Sequence, residues 1–121
     1  MLAINSLCKN NFFRRYGWQL SLVLLLLIYF VFRLINLLLI PIFADEAIYL
    51  YWSQLIMADY KRYLFYPLND GKTPLFIWLL LPFLKFFADP LFAGRLLSVL
   101  FGAGQLILQT KLTALFTKHR L

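Results

Sequence analysis

The sequence predicts an all-α integral membrane protein, and three observations support this class. The 121 residues are 63% hydrophobic and only 14% charged, whereas a typical globular chain carries roughly 25% charged residues. The mean hydropathy is +0.78. Leucine-rich runs recur at lengths that suit membrane helices. The composition excludes a disordered chain, which contains few apolar residues, and a single cysteine excludes a disulfide framework within the chain.

The positive charge of the chain is explained by helix ends. Twelve basic residues against five acidic ones give a net charge of +7, and such a surplus first suggests a nucleic-acid partner. The basic residues are scattered between apolar runs, without a stripe or a nucleic-acid-binding motif. Basic residues that flank membrane helices account for the same surplus. We therefore expect no nucleic-acid partner.

Residues 18–40 form the first predicted membrane helix. At 1.5 Å per residue, about 20 residues cross the hydrocarbon core of about 30 Å. Basic residues in segment 1–17 place that segment in the cytoplasm by the positive-inside tendency. A signal peptide is the alternative, but the apolar run is too long and no small-x-small cleavage site follows it. Pro41 ends the helix, because proline disfavours helical backbone at the residue before it.

Residues 41–72 form a predicted external loop, which holds seven of the seventeen charges. Within it, Asp45–Ala58 has the apolar spacing of a short amphipathic helix. The apolar positions of that helix are Ile48, Trp52, Leu55 and Ile56. The remainder of the loop is rich in aromatic residues and ends in an Asn-Asp-Gly turn at residues 69–71.

Two further membrane helices are predicted at 74–88 and 91–116. The first is short for a complete span, so we expect it to be tilted or re-entrant, with a kink at Pro82. The second contains Gly102 and Gly104, which offer a close-packing surface to a neighbouring helix. The prediction is a multi-pass protein with about three transmembrane helices and a cytoplasmic N-terminus.

Two groups of residues suggest chemistry, and each has a structural alternative. Asp45 and Glu46 follow the first membrane helix directly. Asp45 is either the N-cap of the amphipathic helix, worth up to about 1 kcal/mol, or a functional carboxylate, and the two roles are compatible. Lys72 either extends its ammonium to the membrane interface or binds a lipid phosphate beside a helix N-terminus. Arg33 and Arg95 lie in apolar segments, so each must reach the interface, pair, or line a polar cavity.

The order of three motifs resembles the start of a C-type membrane glycosyltransferase, above all the bacterial protein-mannosyltransferase and aminoarabinose-transferase superfamily. The motifs are FADEAIY at 43–49, GKTPLFIWL at 71–79 and AGRLLS at 93–98. The resemblance covers roughly residues 18–110. It implies an enzyme of many helices that takes a sugar from a polyprenyl-phosphate donor. The sugar passes to a lipid or protein acceptor on the outer membrane face, with inversion.

The resemblance also implies roles for individual residues. Asp45 matches the catalytic base that deprotonates the acceptor hydroxyl. Glu46 matches an acidic neighbour that binds substrate or, in metal-dependent relatives, joins Asp45 in holding a divalent ion such as Mg²⁺ or Mn²⁺. Lys72 matches a lysine near the donor phosphate, where it stabilises the leaving group. Tyr49 matches a substrate-binding tyrosine on the same helix face, and Arg95 matches a structural arginine.

The sequence departs from the family pattern at two positions and in length. Ile48 stands where aminoarabinose transferases tend to carry arginine, and Thr73 stands where a second proline is commoner, so the resemblance does not identify the sugar. Family members are far longer, and three helices cannot enclose a polyprenyl donor. We therefore expect the chain to be an N-terminal part of a longer enzyme, inactive by itself.

Two other classes of protein remain as alternatives. In a non-catalytic membrane module, Asp45 is only a helix cap and Lys72 only an interface anchor. A transporter subunit needs paired polar residues within its spans. The candidates Arg33, Gln105 and Gln109 have no acidic partner inside a predicted span. His119, alone in a basic tail, is interpreted as solvent-exposed, and Cys8 as a cytoplasmic thiol that binds no ligand.

Overall fold

The chain is mostly helical in the part that this computed structural model describes, which is the backbone of residues 2–118 and the side chains of residues 17–116. Those residues contain no strand, which confirms the all-α prediction. A 3-10 turn, Tyr66–Asp70, lies between the third and fourth helices. The helices are α1 (Leu2–Leu34), α2 (Ala44–Ala58), α3 (Tyr60–Tyr63), α4 (Leu75–Phe86) and α5 (Pro90–Lys118). Cys8 and His119 lie outside the described side chains.

Helix α1 differs from its predicted bounds at both ends. It begins at Leu2, so the backbone of the predicted N-terminal segment is helical and continuous with the apolar run. It ends at Leu34 and gives way to turns through Leu39, where the N–H of Leu39 donates to the carbonyl of Asn36 at 3.2 Å. The helix therefore ends well before Pro41.

Within the described residues, two helices are by length and composition able to cross a membrane. In α1, residues Gly17–Leu34 have a mean hydropathy of 1.9 and none of them is buried. In α5, residues Pro90–Phe116 have a mean hydropathy of 1.7. Helix α4 has twelve residues and is therefore only about 18 Å long at 1.5 Å per residue, short of the hydrocarbon thickness. The second predicted span, 74–88, is not supported as a complete crossing.

The chain divides into two compact units, the first made by Met1–Ile35 with Gly102–Leu121 and the second by Asn36–Phe101. In the first unit, Gly102 lies against Tyr29 of α1. A Cβ atom at position 102 would lie 3.0 Å from Tyr29 Cζ and still closer to the phenol oxygen. The predicted close-packing role therefore applies to Gly102, whereas a Cβ at Gly104 would meet nothing within 4 Å.

The second unit is built around α2, which packs on α4 and on the first turns of α5. One buried cluster contains Leu50, Leu80, Ala93 and Leu97. A second contains Trp52, Ile56 and Ile77. The predicted α2 bounds agree with the structure within one residue.

The buried face of α2 is broader than the predicted stripe. Trp52 and Ile56 are buried as predicted, but Ile48 is 37% exposed. Leu50 and Ser53, which the pattern assigned to the opposite side, are buried instead. The reason is that two neighbouring elements contact α2 at different angles, so its buried arc exceeds that of a helix lying on one surface.

The segment between α2 and α4 is held by local bonds that determine where α4 begins. The Asp59 carboxylate caps α3 by accepting from the N–H of Arg62 at 3.2 Å. The indole N–H of Trp78 donates to the carbonyl of Leu64 at 2.9 Å. Gly71 has a φ of 68°, a left-handed conformation that glycine adopts without steric cost. It closes the predicted turn immediately before Lys72.

Candidate functional site

An open pocket of about 490 Å³ lies in the second unit, where α2, α4 and α5 meet. Its walls are mainly apolar, and its charged groups come from the first turn of α2. The side chains that line it include Asp45, Glu46, Tyr49 and Leu50 of α2, Phe76 and Leu80 of α4, and Gly94 and Ser98 of α5. Three of the four predicted site residues therefore border a single pocket.

The fourth predicted residue, Lys72, reaches the same place through an ion pair. Its Nζ atom lies 3.8 Å from Oδ1 of Asp45, and the two side chains are 38% and 62% exposed. An ion pair this accessible contributes at most about 1 kcal/mol to stability. Its significance is positional, because it brings together two residues that the sequence singled out separately.

Asp45 is not the N-cap of α2, so the capping interpretation is wrong. Phe43 occupies the N-cap position with extended backbone, and no side chain caps the helix. The carbonyl of Phe43 accepts from the N–H of Ala47 at 2.9 Å, which starts the helix before Asp45. Asp45 instead lies in the first turn, where the helix dipole favours a negative charge. Its carboxylate is free of a capping bond and faces Lys72.

Arg95 makes the densest set of polar contacts in the site. Its Nε donates to Oε1 of Glu46 at 2.8 Å, and its Nη2 donates to Oε2 at 2.9 Å. Its Nη1 donates to the carbonyls of Leu37 and Ile40 at 2.7 and 2.8 Å, and Nη2 also donates to that of Pro41 at 3.3 Å. These contacts use all five donors of the guanidinium. The side chain is 12% exposed.

Arg95 therefore joins α5 to the chain segment that precedes α2 and to the first turn of α2. Of the three roles expected for an arginine in an apolar segment, the structure shows pairing. Sequence reasoning placed Arg95 in a structural role but did not identify its partners. An arginine in an apolar segment needs a partner for its charge, but the sequence does not indicate which residue that partner is.

The ion pair with Arg95 also determines the state of Glu46. The hydrogen bonds from Arg95 hold the pKa of the Glu46 carboxyl below its ordinary value, and they outweigh partial burial, which acts in the opposite direction. Both oxygens of Glu46 accept from Arg95. Of the two carboxylates considered as ligands of a divalent ion, Glu46 is held by Arg95 through both oxygens, whereas Asp45 has only the exposed ion pair with Lys72. Among residues 17–116, no three His, Cys, Asp or Glu side chains gather as a metal site.

The lowered pKa of Glu46 predicts an acid-dependent loss of stability. Because the folded-state value lies below the unfolded one, the stabilisation is complete above the ordinary glutamate pKa of about 4.3. It declines as the pH falls from there through the folded-state value. We expect Glu46→Gln to lower the free energy of unfolding at pH 7 by about 1.5–3 kcal/mol. The variant should also show a shallower decline below about pH 4.3, measured by thermal unfolding from pH 7 to pH 3.

Asp70→Asn is the matched control for that measurement, because Asp70 is exposed and belongs to the 3-10 turn of the same unit. It should keep the acid-dependent decline of the parent protein. If Glu46→Gln lost stability with falling pH as steeply as the parent protein, the acid-dependent loss of stability could not be assigned to the Glu46–Arg95 pair.

Tyr49 lies at the pocket wall, one turn after Asp45. Its ring is half-buried and contacts Phe76 at 6.0 Å and Trp52 at 6.2 Å between centroids. Ser53, fully buried, donates its hydroxyl to the Tyr49 carbonyl at 2.7 Å. The predicted substrate-binding tyrosine is therefore held by aromatic packing with its ring bordering the same space as the two carboxylates.

The fold and this site define an all-helical chain with two helices capable, by length and composition, of crossing a membrane. They also define an apolar pocket with an aspartate–lysine pair at its border. Comparisons with protein-family models, with characterised proteins and with solved structures found no match.

Proposed function

We propose that this chain is part of a membrane glycosyltransferase that moves a sugar from a polyprenyl-phosphate donor to a lipid or protein acceptor. The observation that carries the proposal is the 3.8 Å approach of Asp45 to Lys72 beside a mainly apolar pocket. This reaction needs a carboxylate base, a cation for the leaving phosphate and an apolar environment. The ordered motifs around residues 45, 72 and 95 give the same proposal from the sequence.

In the proposed reaction, Asp45 accepts the proton of the acceptor hydroxyl. The acceptor oxygen attacks the anomeric carbon while the bond from that carbon to the phosphate oxygen breaks. The electron pair of that bond leaves with the polyprenyl phosphate, and Lys72 stabilises the charge that develops on it. Attack from the face opposite the leaving group inverts the anomeric centre.

Glu46 and Arg95 act as positioning residues in this proposal. Arg95 fixes Glu46 and the three preceding backbone carbonyls, and Asp45 is the neighbour of Glu46 in the same helical turn. The base is therefore attached to a rigid part of the site although its own side chain is exposed. Tyr49 contributes an aromatic surface for a bound substrate.

The membrane placement that accompanies this proposal is multi-pass, with the N-terminus in the cytoplasm and α2 on the outer face of the plasma membrane. The unburied apolar surface of α1 between Gly17 and Leu34 supports it, since monomeric soluble proteins rarely expose an apolar patch of that extent. Helix α4 would enter the bilayer without crossing it.

Lys72→Ala tests the proposal through the donor. The complete reading frame that contains these residues is produced in membranes, and transfer from a polyprenyl-phosphate-linked sugar is measured. Loss of the ammonium should raise the KM for the donor about tenfold or more, as expected for the loss of a charge-assisted contact of about 1.5–3 kcal/mol. Lys72→Arg should retain most of the affinity because it keeps the positive charge.

Lys61→Ala is the matched control, because Lys61 is an exposed lysine on α3 of the same unit. Its donor KM should equal that of the parent protein. An unchanged KM in Lys72→Ala would reduce Lys72 to an interface anchor and would favour the alternative of a non-catalytic membrane module.

A further inference from the structure

The pocket beside Asp45 differs in charge from the region around Lys72. This difference indicates that the donor phosphate and the acceptor bind in different places. No lysine or arginine lines the pocket, and its two acids are Asp45 and Glu46. A phosphate placed in the pocket would meet carboxylates first, at a cost that rises in an apolar environment. The donor phosphate therefore belongs outside the pocket, where the Lys72 ammonium lies.

The two carboxylates do not attract a cation strongly either. Glu46 is neutralised by Arg95 at 2.8 Å, and Asp45 is paired with Lys72 at 3.8 Å. The border of the pocket thus carries two negative and two positive groups, with no net charge. Charge complementarity favours an uncharged ligand.

The walls of the pocket favour an apolar body over a peptide. Phe76, Leu80 and Leu50 offer no hydrogen-bonding side chains, and the Ser98 hydroxyl donates to the carbonyl of Gly94 at 3.1 Å. The N–H and C=O groups of a peptide backbone would find few partners there, and an unpaired buried amide costs several kcal/mol. A volume of about 490 Å³ lies in the range of about 300–1,000 Å³ for pockets that bind small molecules.

The geometry points to an uncharged lipid alcohol as the occupant of this pocket, with its apolar body against α4 and α5 and its hydroxyl at Asp45. Resting on the proposed function, this identifies the acceptor as a lipid hydroxyl and assigns the donor phosphate to Lys72. Transfer then converts the acceptor O–H into an O-glycosidic bond, with its proton on Asp45.

Photolabelling tests the inference without requiring transfer. The complete reading frame is placed in phosphatidylcholine vesicles, and a diazirine-bearing long-chain alcohol is photolysed and mapped by peptide mass spectrometry. Labels are expected on the peptides of α2, α4 and α5 that line the pocket. Dodecanol should compete at least about tenfold better than dodecyl phosphate, a difference that corresponds to one decade in Kd.

Ser98→Phe fills the pocket from α5, and Leu100→Phe is the matched control because Leu100 is exposed and lies outside the lining. Labelling should fall about tenfold or more in Ser98→Phe, one decade in Kd, and stay unchanged in Leu100→Phe. Ser98→Leu is the smaller filling variant if the phenylalanine variant does not fold, and thermal unfolding verifies each protein.

Three results would overturn the inference. If dodecyl phosphate competed as well as dodecanol, the pocket would bind the donor lipid. If a short serine-containing peptide competed better than dodecanol, the acceptor would be a protein. Equal labelling of Ser98→Phe and Leu100→Phe would indicate partitioning into the bilayer only. Pocket labelling without sugar transfer would overturn the proposed function, and with it the role of the lipid alcohol as acceptor, but would leave the alcohol as the occupant of the pocket. Transfer without pocket labelling would overturn only this inference.

Discussion

Replacing Arg95 by alanine is expected to lower the free energy of unfolding by about 1.5–3 kcal/mol, the range for hydrogen bonds to a charged group, because the pair with Glu46 is only partly buried. The variant leaves the Glu46 carboxylate without its cation and removes the donors to three backbone carbonyls. Thermal unfolding monitored by circular dichroism measures the loss. Hydrogen exchange should rise first in peptides that cover residues 36–46.

Arg95→Lys separates charge from geometry in that experiment. Lysine keeps the positive charge but has three donors on one nitrogen, so it cannot span the carboxylate and the carbonyls together. We expect it to recover less than half of the lost stability. Lys85→Ala, at an exposed lysine near the end of α4, should behave like the parent protein. Parent-like stability of Arg95→Ala would contradict the structural role described above.

Asp45→Asn is expected to reduce sugar transfer by about 10²–10⁴-fold, the usual contribution of a general base. The substitution preserves the size of the side chain and removes its ability to take a proton. Initial rates at saturating donor and acceptor, measured with the complete reading frame in membranes, give kcat directly. Because Asp45 is exposed and does not cap α2, the variant should insert and fold normally.

Asp70→Asn provides the comparison for that loss of rate. Asp70 is an exposed acid in the same unit but does not line the pocket, so its replacement should leave kcat within about twofold of the parent rate. A parent-like kcat in Asp45→Asn would remove Asp45 from the catalytic role and with it the main support for the proposed reaction.

The positions of the helices were largely predictable, because each helix has its own local pattern. The acidic residues and apolar spacing of α2 locate it within one residue, and the Gly71 turn follows from its local sequence. The exposed position of Ile48 was not predictable, because it depends on which neighbouring elements contact α2. The early end of α1, which gives way to a turn closed by the bond from the Leu39 N–H to the Asn36 carbonyl, was not predicted either.

The candidate site was predictable in its residues and not in its contacts. Asp45, Glu46 and Lys72 stand out because charged residues make up only 14% of the chain, and Tyr49 was indicated by the family resemblance. The partner of Glu46 could not be predicted, since Arg95 follows it by 49 residues and no local pattern encodes that distance. Glu46 is held by Arg95, whereas Asp45 lies beside Lys72. This difference between the two carboxylates depends on the packing of α2 against α5.

The contacts of Arg95 join residues that are synthesised at different times during translation. Glu46 and the carbonyl of Leu37 leave the ribosome 49 and 58 residues before the arginine that satisfies them. At about 5–20 residues per second, that interval is roughly 2–12 s. During this interval the Glu46 carboxylate at the start of α2 has no ion-pair partner. This part of the site can therefore form only after the first turns of α5 have been translated.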